Sequence, residues 1–77
     1  MAAADIEALI LTGILDARVE ITDLAGDGNH YAARVVAESF RGLSRVQCTR
    51  RVYEALGTRM GNELHALQLT TATPTPD

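Results

Sequence analysis

Three side chains of this sequence are suited to bind a transition metal: His30, Cys48 and His65. Neutral imidazole and thiolate are common protein ligands of iron. A single cysteine excludes an internal disulfide and a CxxC site, and it fits a reducing compartment. Cys48 lies inside a predicted helix, far in sequence from both histidines. We therefore expect it to be a small buried hydrophobic residue.

The two histidines occupy different kinds of segment. His30 follows Asp27-Gly28-Asn29, and two interpretations stay open for it: a metal ligand or hydrogen-bond partner of the loop, and an exposed residue at the start of a strand. We expect Asp27 to form the turn, because an Asp side chain there accepts local backbone hydrogen bonds. His65 precedes a predicted strand. From its type alone it is more often a surface residue than a ligand.

Arg45, Arg50 and Arg51 are candidates for contact with phosphate groups. The chain contains no Lys, and its formal charge of −3 does not match that of nucleic acid. Arginines on the exterior of a helix are usually only solvated. Contact of these three residues with DNA is therefore the alternative hypothesis rather than the first.

No motif for catalysis is present in the sequence. It has no GxSxG, no phosphate-binding P-loop, no paired carboxylates and no Cys–His pair at useful spacing. A chain of 77 residues is also small for a deep pocket. We expect a binding protein, not an enzyme.

The elements that must position these residues begin with a helix and a hairpin. Apolar residues at helical spacing from Ile6 to Ile14 predict a helix that ends near Leu15 or Asp16, with Asp5 as its N-cap or first-turn acid. Alternation over 18–23 predicts a strand with Val19 and Ile21 on its buried face. A turn at 25–29 leads to a second strand over 30–38 that buries Tyr31, Ala33 and Val35.

A second helix begins after Ser44, which forms a capping box with Gln47. Its predicted buried stripe is Val46, Thr49, Val52, Tyr53 and Leu56, and Gly57 ends or loosens it. A short helical turn over 58–63 and a strand over 66–72 complete the order α-β-β-α-α-β. A right-handed crossover makes the third strand parallel to the second. The predicted fold class is α+β, a three-stranded mixed sheet with the helices on one face.

A chain of 77 residues has room for one domain, which we place over 4–73. The N-terminal apolar run is too short for a signal peptide or a membrane span, so we expect a cytoplasmic protein with no membrane contact. Pro74 and Pro76 prevent regular structure over 74–77, which we predict to be a disordered tail.

Three stretches, in this order, resemble the BolA family, and in particular its bacterial BolA/IbaG-like branch. They are 26–31 in the hairpin turn, 40–46 followed by 52–56 in the second helix, and 64–67 with Thr73-Pro74 around the last strand. Together they cover nearly the whole chain. The resemblance implies a fold related to the type II KH fold, which agrees with the predicted element order.

The resemblance also implies a partner and a cofactor. Such proteins pair with a monothiol glutaredoxin that carries a CGFS active site, and the two co-ligate a [2Fe–2S] cluster with glutathione. The isolated protein is then expected to hold no cluster and to be a monomer or a weak homodimer. The family ligand before the last strand falls on His65. The family's second ligand is a Cys or His in the hairpin loop; the nearest positions here are Asp27 and His30, of which we take His30.

The alternative function that the resemblance implies is a DNA-binding stress-response transcriptional regulator acting through 44–56. This chain departs from the family pattern there. Cys48 and Thr49 stand where relatives usually have long basic, amide or imidazole side chains, and Arg51 stands where an apolar residue is common.

Overall fold

The computed structural model describes residues 2–27, 30–57 and 66–75. Its elements are helix α1 (Ala3–Gly13), strands β1 (Arg18–Asp23) and β2 (His30–Val36), a 3-10 turn (Glu38–Phe40), helix α2 (Arg45–Leu56) and strand β3 (Ala66–Ala72). The sheet order is β1-β2-β3, antiparallel between β1 and β2 and parallel between β2 and β3. The mixed sheet of the predicted α+β fold is confirmed. The helical turn predicted over 58–63 lies outside the described residues.

The hydrophobic core joins one face of the sheet to both described helices. Helix α1 contributes two buried side chains, and Ile14 directly after it adds a third; α2 and β2 contribute three each. They are Ile6 and Ile10 from α1, Cys48, Val52 and Leu56 from α2, and Tyr31, Ala33 and Val35 from β2. The alternation predicted for β2 is therefore confirmed. Because α1 and α2 pack into the same cluster, both lie on the same face of the sheet.

The two helices are in close contact at Gly13. A Cβ atom added to Gly13 would lie 2.5 Å from Cβ of Ala55 on α2. Real carbon atoms do not come so near without a shift of the backbone. The absence of a side chain at Gly13 therefore sets the distance between α1 and α2.

The predicted buried stripe of α2 is wrong at two positions. Val46 is 66% exposed and Tyr53 is 39% exposed, while Thr49 is half-buried. The side chains that enter the core are Cys48, Val52 and Leu56. Residues four apart lie on one face of a helix, so this second stripe is as regular as the predicted one. The sheet and α1 select the face that contains Cys48.

The element boundaries also differ from prediction. Ala2 is the N-cap of α1, and Asp5 is a first-turn acid, the second of its two predicted roles. The helix ends at Gly13, earlier than the predicted end near Leu15 or Asp16. The second strand ends at Val36 and is followed by the 3-10 turn, which the sequence pattern did not predict. The capping box of α2 is confirmed: Gln47 N donates to Ser44 Oγ at 3.2 Å and Ser44 N donates to Gln47 Oε1 at 2.9 Å. Among the described helices, none is long and apolar enough to cross a membrane.

Candidate functional site

The hairpin loop between β1 and β2 is folded around carboxylates. Asp23 Oδ1 accepts hydrogen bonds from the backbone nitrogens of Ala25, at 3.3 Å, and Gly26, at 2.8 Å. Gly26 has a φ of 70°, which a residue with a Cβ rarely adopts. Leu24 N donates to the carbonyl oxygen of His30 at 2.8 Å and joins the two ends of the loop. The loop conformation is therefore set locally.

Asp27 holds the side chain of His30. Asp27 Oδ1 accepts from the backbone nitrogen of His30 at 3.2 Å, and Asp27 Oδ2 lies 2.8 Å from His30 Nδ1. An ionised carboxylate only accepts hydrogen bonds, so Nδ1 carries the proton. In the neutral ring the lone pair is then on Nε2, the form that can bind a metal. Asp27 is the predicted turn former, and it also orients the imidazole.

The imidazole of His30 is accessible to another molecule. Its side chain is 52% exposed, and that of Asp27 is 41% exposed. A histidine that ligates a metal usually donates its second ring N–H to a carboxylate or a carbonyl. The Asp27–His30 pair has that arrangement. It can therefore present one imidazole nitrogen to a group bound outside the protein surface.

The sheet register brings the start of β3 beside His30. In the parallel ladder His30 pairs with Ala66, and Tyr31 pairs with Leu67. His65, the first predicted ligand, precedes Ala66 in the chain and lies outside the described residues. Within the described part, no three His, Cys, Asp or Glu side chains are grouped closely enough to hold a metal ion.

Cys48 is far from the hairpin loop. Its side chain is 5% exposed, and its Sγ lies 4.0 Å from the carbonyl oxygen of Phe40. It lines a small cavity with Ala72 and Thr73, at the end of β3 opposite to Ala66. A strand rises about 3.3 Å per residue, so the two ends of β3 are about 20 Å apart. The expectation of a buried hydrophobic residue is confirmed, and the structure does not place Cys48 with His30.

The three arginines predicted to contact DNA point in different directions around α2. All three are exposed. Arg45 lies beside β3, where it lines cavities with Thr71. Arg51 lies on the opposite flank, in a cleft with Gly13 of α1. Arg50 projects between them, beside Val46 and Tyr53. Because a helix turns about 100° per residue, spacings of five and six residues do not form a single basic stripe.

Arg41, which the sequence analysis did not single out, forms an ion pair with Glu38 of the 3-10 turn and hydrogen bonds with the segment after β3. Arg41 donates to both carboxylate oxygens of Glu38, from Nε at 2.7 Å and from Nη2 at 3.0 Å. Nη2 also donates to Thr75, to Oγ1 at 3.0 Å and to the carbonyl oxygen at 3.3 Å. The hydrogen bonds from Arg41 lower the pKa of Glu38 below its ordinary value of 4.5. The contact with Thr75 could not be predicted from sequence patterns, since Thr75 is 34 positions after Arg41.

Known proteins resemble this chain in sequence and in structure. Protein RP812 of Rickettsia prowazekii is 30% identical over 71 residues, which covers 92% of each chain. BolA-like protein 1 of Mus musculus is 38% identical over 50 residues, 65% of this chain but only 36% of the mouse protein. The structure of a BolA homologue from Coxiella burnetii superimposes with a TM-score of 0.82 at 39% identity, covering 96% of this chain and 92% of the other.

The match to a family model extends over most of the described elements. The model for the family described as BolA-like protein matches residues 16–76, from the segment between α1 and β1 through β3. That range includes the hairpin loop, the Asp27–His30 pair and the whole of α2. The chain belongs to the BolA-like protein family.

Proposed function

We propose that this BolA-like protein is an adaptor that pairs with a monothiol CGFS glutaredoxin and co-ligates a [2Fe–2S] cluster. His30 and His65 are the proposed ligands from this chain. The glutaredoxin cysteine and the thiolate of glutathione supply the remaining ligands. Iron–sulfur trafficking or iron-dependent and stress regulation is the proposed setting.

The Asp27–His30 pair carries the proposal. The pair is suited to bind iron. Asp27 Oδ2 lies 2.8 Å from His30 Nδ1 and accepts a hydrogen bond from that nitrogen, so Nε2 keeps the lone pair that can bind a metal. The exposure of the ring suits a site that a second protein completes.

The register of β2 and β3 supports the choice of both histidines. His30 is opposite Ala66, so β3 begins at the same end of the sheet as the hairpin loop. His65 immediately precedes Ala66 in the sequence, which is why it is proposed for the same site. Histidine in place of cysteine on one iron raises the reduction potential of such a cluster.

The test is reconstitution of the complex. The purified protein is mixed anaerobically with a CGFS glutaredoxin, glutathione, ferrous iron and sulfide, and visible absorption and circular dichroism are recorded across a size-exclusion column. We expect a heterodimer whose spectrum differs from that of the glutaredoxin homodimer. His65→Ala and His30→Ala should each change that spectrum while the far-ultraviolet spectrum of the apo protein stays constant.

Glu20→Gln is the matched control. Glu20 is an exposed residue in the middle of β1, opposite Arg34 of β2 and outside the loop. It should leave both the heterodimer and its visible spectrum unchanged. The proposal fails if only the homodimer spectrum appears and this protein elutes alone. Unchanged visible spectra for both histidine variants would remove these residues from the site.

The DNA-binding alternative stays a prediction. Arg45, Arg50 and Arg51 are exposed, but their different directions offer a duplex no continuous basic surface. Neutralising all three should flatten the dependence of log K on log salt concentration if DNA is bound through α2. Submicromolar binding that survives these substitutions would reject α2 as the contact.

A further inference from the structure

Two adjoining cavities form a groove between α2 and β3. One has a volume of about 190 Å³ and is lined by residues that include Leu43, Cys48 and Ala72. The other has a volume of about 230 Å³ and is lined by residues that include Thr49 and Leu69. Arg45 and Thr71 line both. We call this surface the α2–β3 groove.

The strand that borders the groove is at the edge of the sheet. The order β1-β2-β3 leaves one side of β3 without a neighbouring strand among the described residues. Ala37 N donates to the carbonyl oxygen of Ala72 at 3.0 Å, so the backbone of Ala72 faces β2. Along a strand, the backbone N–H and C=O groups of successive residues point alternately to one side and to the other. The N–H and C=O groups of Leu67, Leu69 and Thr71 therefore face the open edge.

The two edges of the sheet differ in how well they are protected from pairing. Strand β1 carries Arg18, Glu20 and Asp23, whereas β3 has the uncharged sequence ALQLTTA. Charged residues and prolines are the usual means by which an edge strand avoids added strands. β3 has neither over its seven residues. Within the described residues, its edge therefore has the features of a template for an added strand.

Charge determines what kind of strand would fit. Among the described residues that line the groove, Arg45 is the only charged one. The chain as a whole has a net charge of −3, so the charge of the groove is opposite in sign to that of the protein. Beside Arg45, hydroxyl groups from Thr49, Thr70 and Thr71 add polar contacts.

We infer that the α2–β3 groove binds an extended acidic peptide segment of a partner protein, which adds to β3 as a fourth strand. Main-chain hydrogen bonds to Leu67, Leu69 and Thr71 give such a complex its affinity, and pockets for alternate side chains give it selectivity. Arg45 pairs with a carboxylate of the segment. A single-stranded nucleic acid fits less well, since such ligands need a basic groove with exposed aromatic side chains. A second copy of β3 would bring no carboxylate to Arg45.

The test uses the apo protein without glutaredoxin or iron, so its outcome is independent of the proposed cluster. The probe is a blocked heptapeptide, Thr-Val-Glu-Val-Glu-Val-Thr, titrated into the 15N-labelled protein. We expect the amide resonances of Leu67, Leu69 and Thr71 to shift more than those of Gln68 and Thr70. Replacing both Glu residues of the probe by Lys should weaken binding, because the ion pair with Arg45 becomes a repulsion between like charges.

Two further measurements separate strand addition from simple charge attraction. Two peptides are made, one N-methylated at the odd-numbered amides and one at the even-numbered amides. Only one of the two should bind more weakly, because the amides of only one set face β3. Arg45→Gln should weaken binding about fivefold, the upper range for an exposed ion pair. Arg51→Gln, on the opposite flank of α2, is the matched control and should change little.

Several outcomes would overturn the inference. The first is the absence of shifts along β3 at millimolar peptide. The second is that the Lys peptide binds as tightly as the Glu peptide, or that the two N-methylated peptides bind equally. Equal affinity of the Arg45→Gln and Arg51→Gln variants for the Glu peptide would also contradict the inference. Tighter binding of oligo-dT at the same amides would assign the groove to nucleic acid. Concentration-dependent shifts of β3 without peptide would assign it to a second copy of the chain.

Discussion

Both carboxylate oxygens of Asp16 accept hydrogen bonds from Ser39, 23 positions further along the chain. Oδ2 accepts from the backbone nitrogen at 2.8 Å, and Oδ1 accepts from Oγ at 2.9 Å. Asp16 thereby caps the 3-10 turn from outside it, satisfying an N–H that the turn cannot pair itself. The turn after β2 is tied to the segment between α1 and β1.

This contact makes stability depend on pH. The hydrogen bonds from Ser39, first from its backbone and then from its side chain, lower the pKa of Asp16 below its ordinary value of 3.8. Because the pKa is lower in the folded state, the contact stabilises the fold fully above the unfolded-state pKa of 3.8. That stabilisation is lost as the pH falls through the folded-state pKa. We expect Asp16→Asn to unfold at lower denaturant concentration than the wild type near neutral pH. Urea titrations over a pH series should show the difference shrinking in acid; a constant difference would contradict this account.

The close approach at Gly13 predicts a destabilising steric change. Gly13→Ala adds a methyl group 2.5 Å from Cβ of Ala55, and overpacking of this kind costs about 1–3 kcal/mol. The higher helix propensity of Ala offsets about 1 kcal/mol of that. Denaturant unfolding of Gly13→Ala, Ala55→Gly and the double variant tests the contact. Ala55→Gly should restore part of the loss, and strictly additive effects would exclude a clash between these two positions.

The two valines of α2 should respond differently to truncation. Val52 is fully buried and Val46 is 66% exposed. Val52→Ala should lower the free energy of unfolding by about 1.5–3 kcal/mol, the value of a buried aliphatic side chain. Val46→Ala on the same helix is the matched control, with an expected change below about 0.5 kcal/mol. Equal losses at both positions would mean that Val46 enters the core after all.

The contrast between Val46 and Val52 illustrates how far sequence patterns predict this fold. Alternation in β2 identified Tyr31 and Val35 correctly, because each strand residue has only two faces to choose from. In α2 two stripes both contained Val52 and Leu56. The choice between them depends on how the helix is rotated against the sheet and α1. That is a tertiary property, which the spacing of apolar residues within α2 does not contain.

The candidate site was predictable in part. The short Asp27-to-His30 spacing was compatible with a local hydrogen bond, and the structure has it at 2.8 Å. Pairs such as Asp16–Ser39 and Arg41–Thr75 leave no periodic signal, because each side chain only needs to be polar. The open edge of β3 also required the strand order, since an uncharged strand is equally common in the middle of a sheet.

The most direct prediction about the proposed cluster site concerns Asp27. Its carboxylate accepts from two nitrogens of His30, the backbone N at 3.2 Å and Nδ1 at 2.8 Å. Asn has only one acceptor oxygen, so in Asp27→Asn an amide N–H must face either the backbone N–H or the ring. Loss of the orienting carboxylate typically weakens metal binding about 10–100-fold. The visible absorption of the reconstituted heterodimer should therefore bleach faster in a chelator for Asp27→Asn than for the wild type. Asp23→Asn alters the same loop, at the hydrogen bonds from Ala25 N and Gly26 N, and should bleach at close to the wild-type rate; equal acceleration by both variants would trace the effect to the loop as a whole and not to the imidazole.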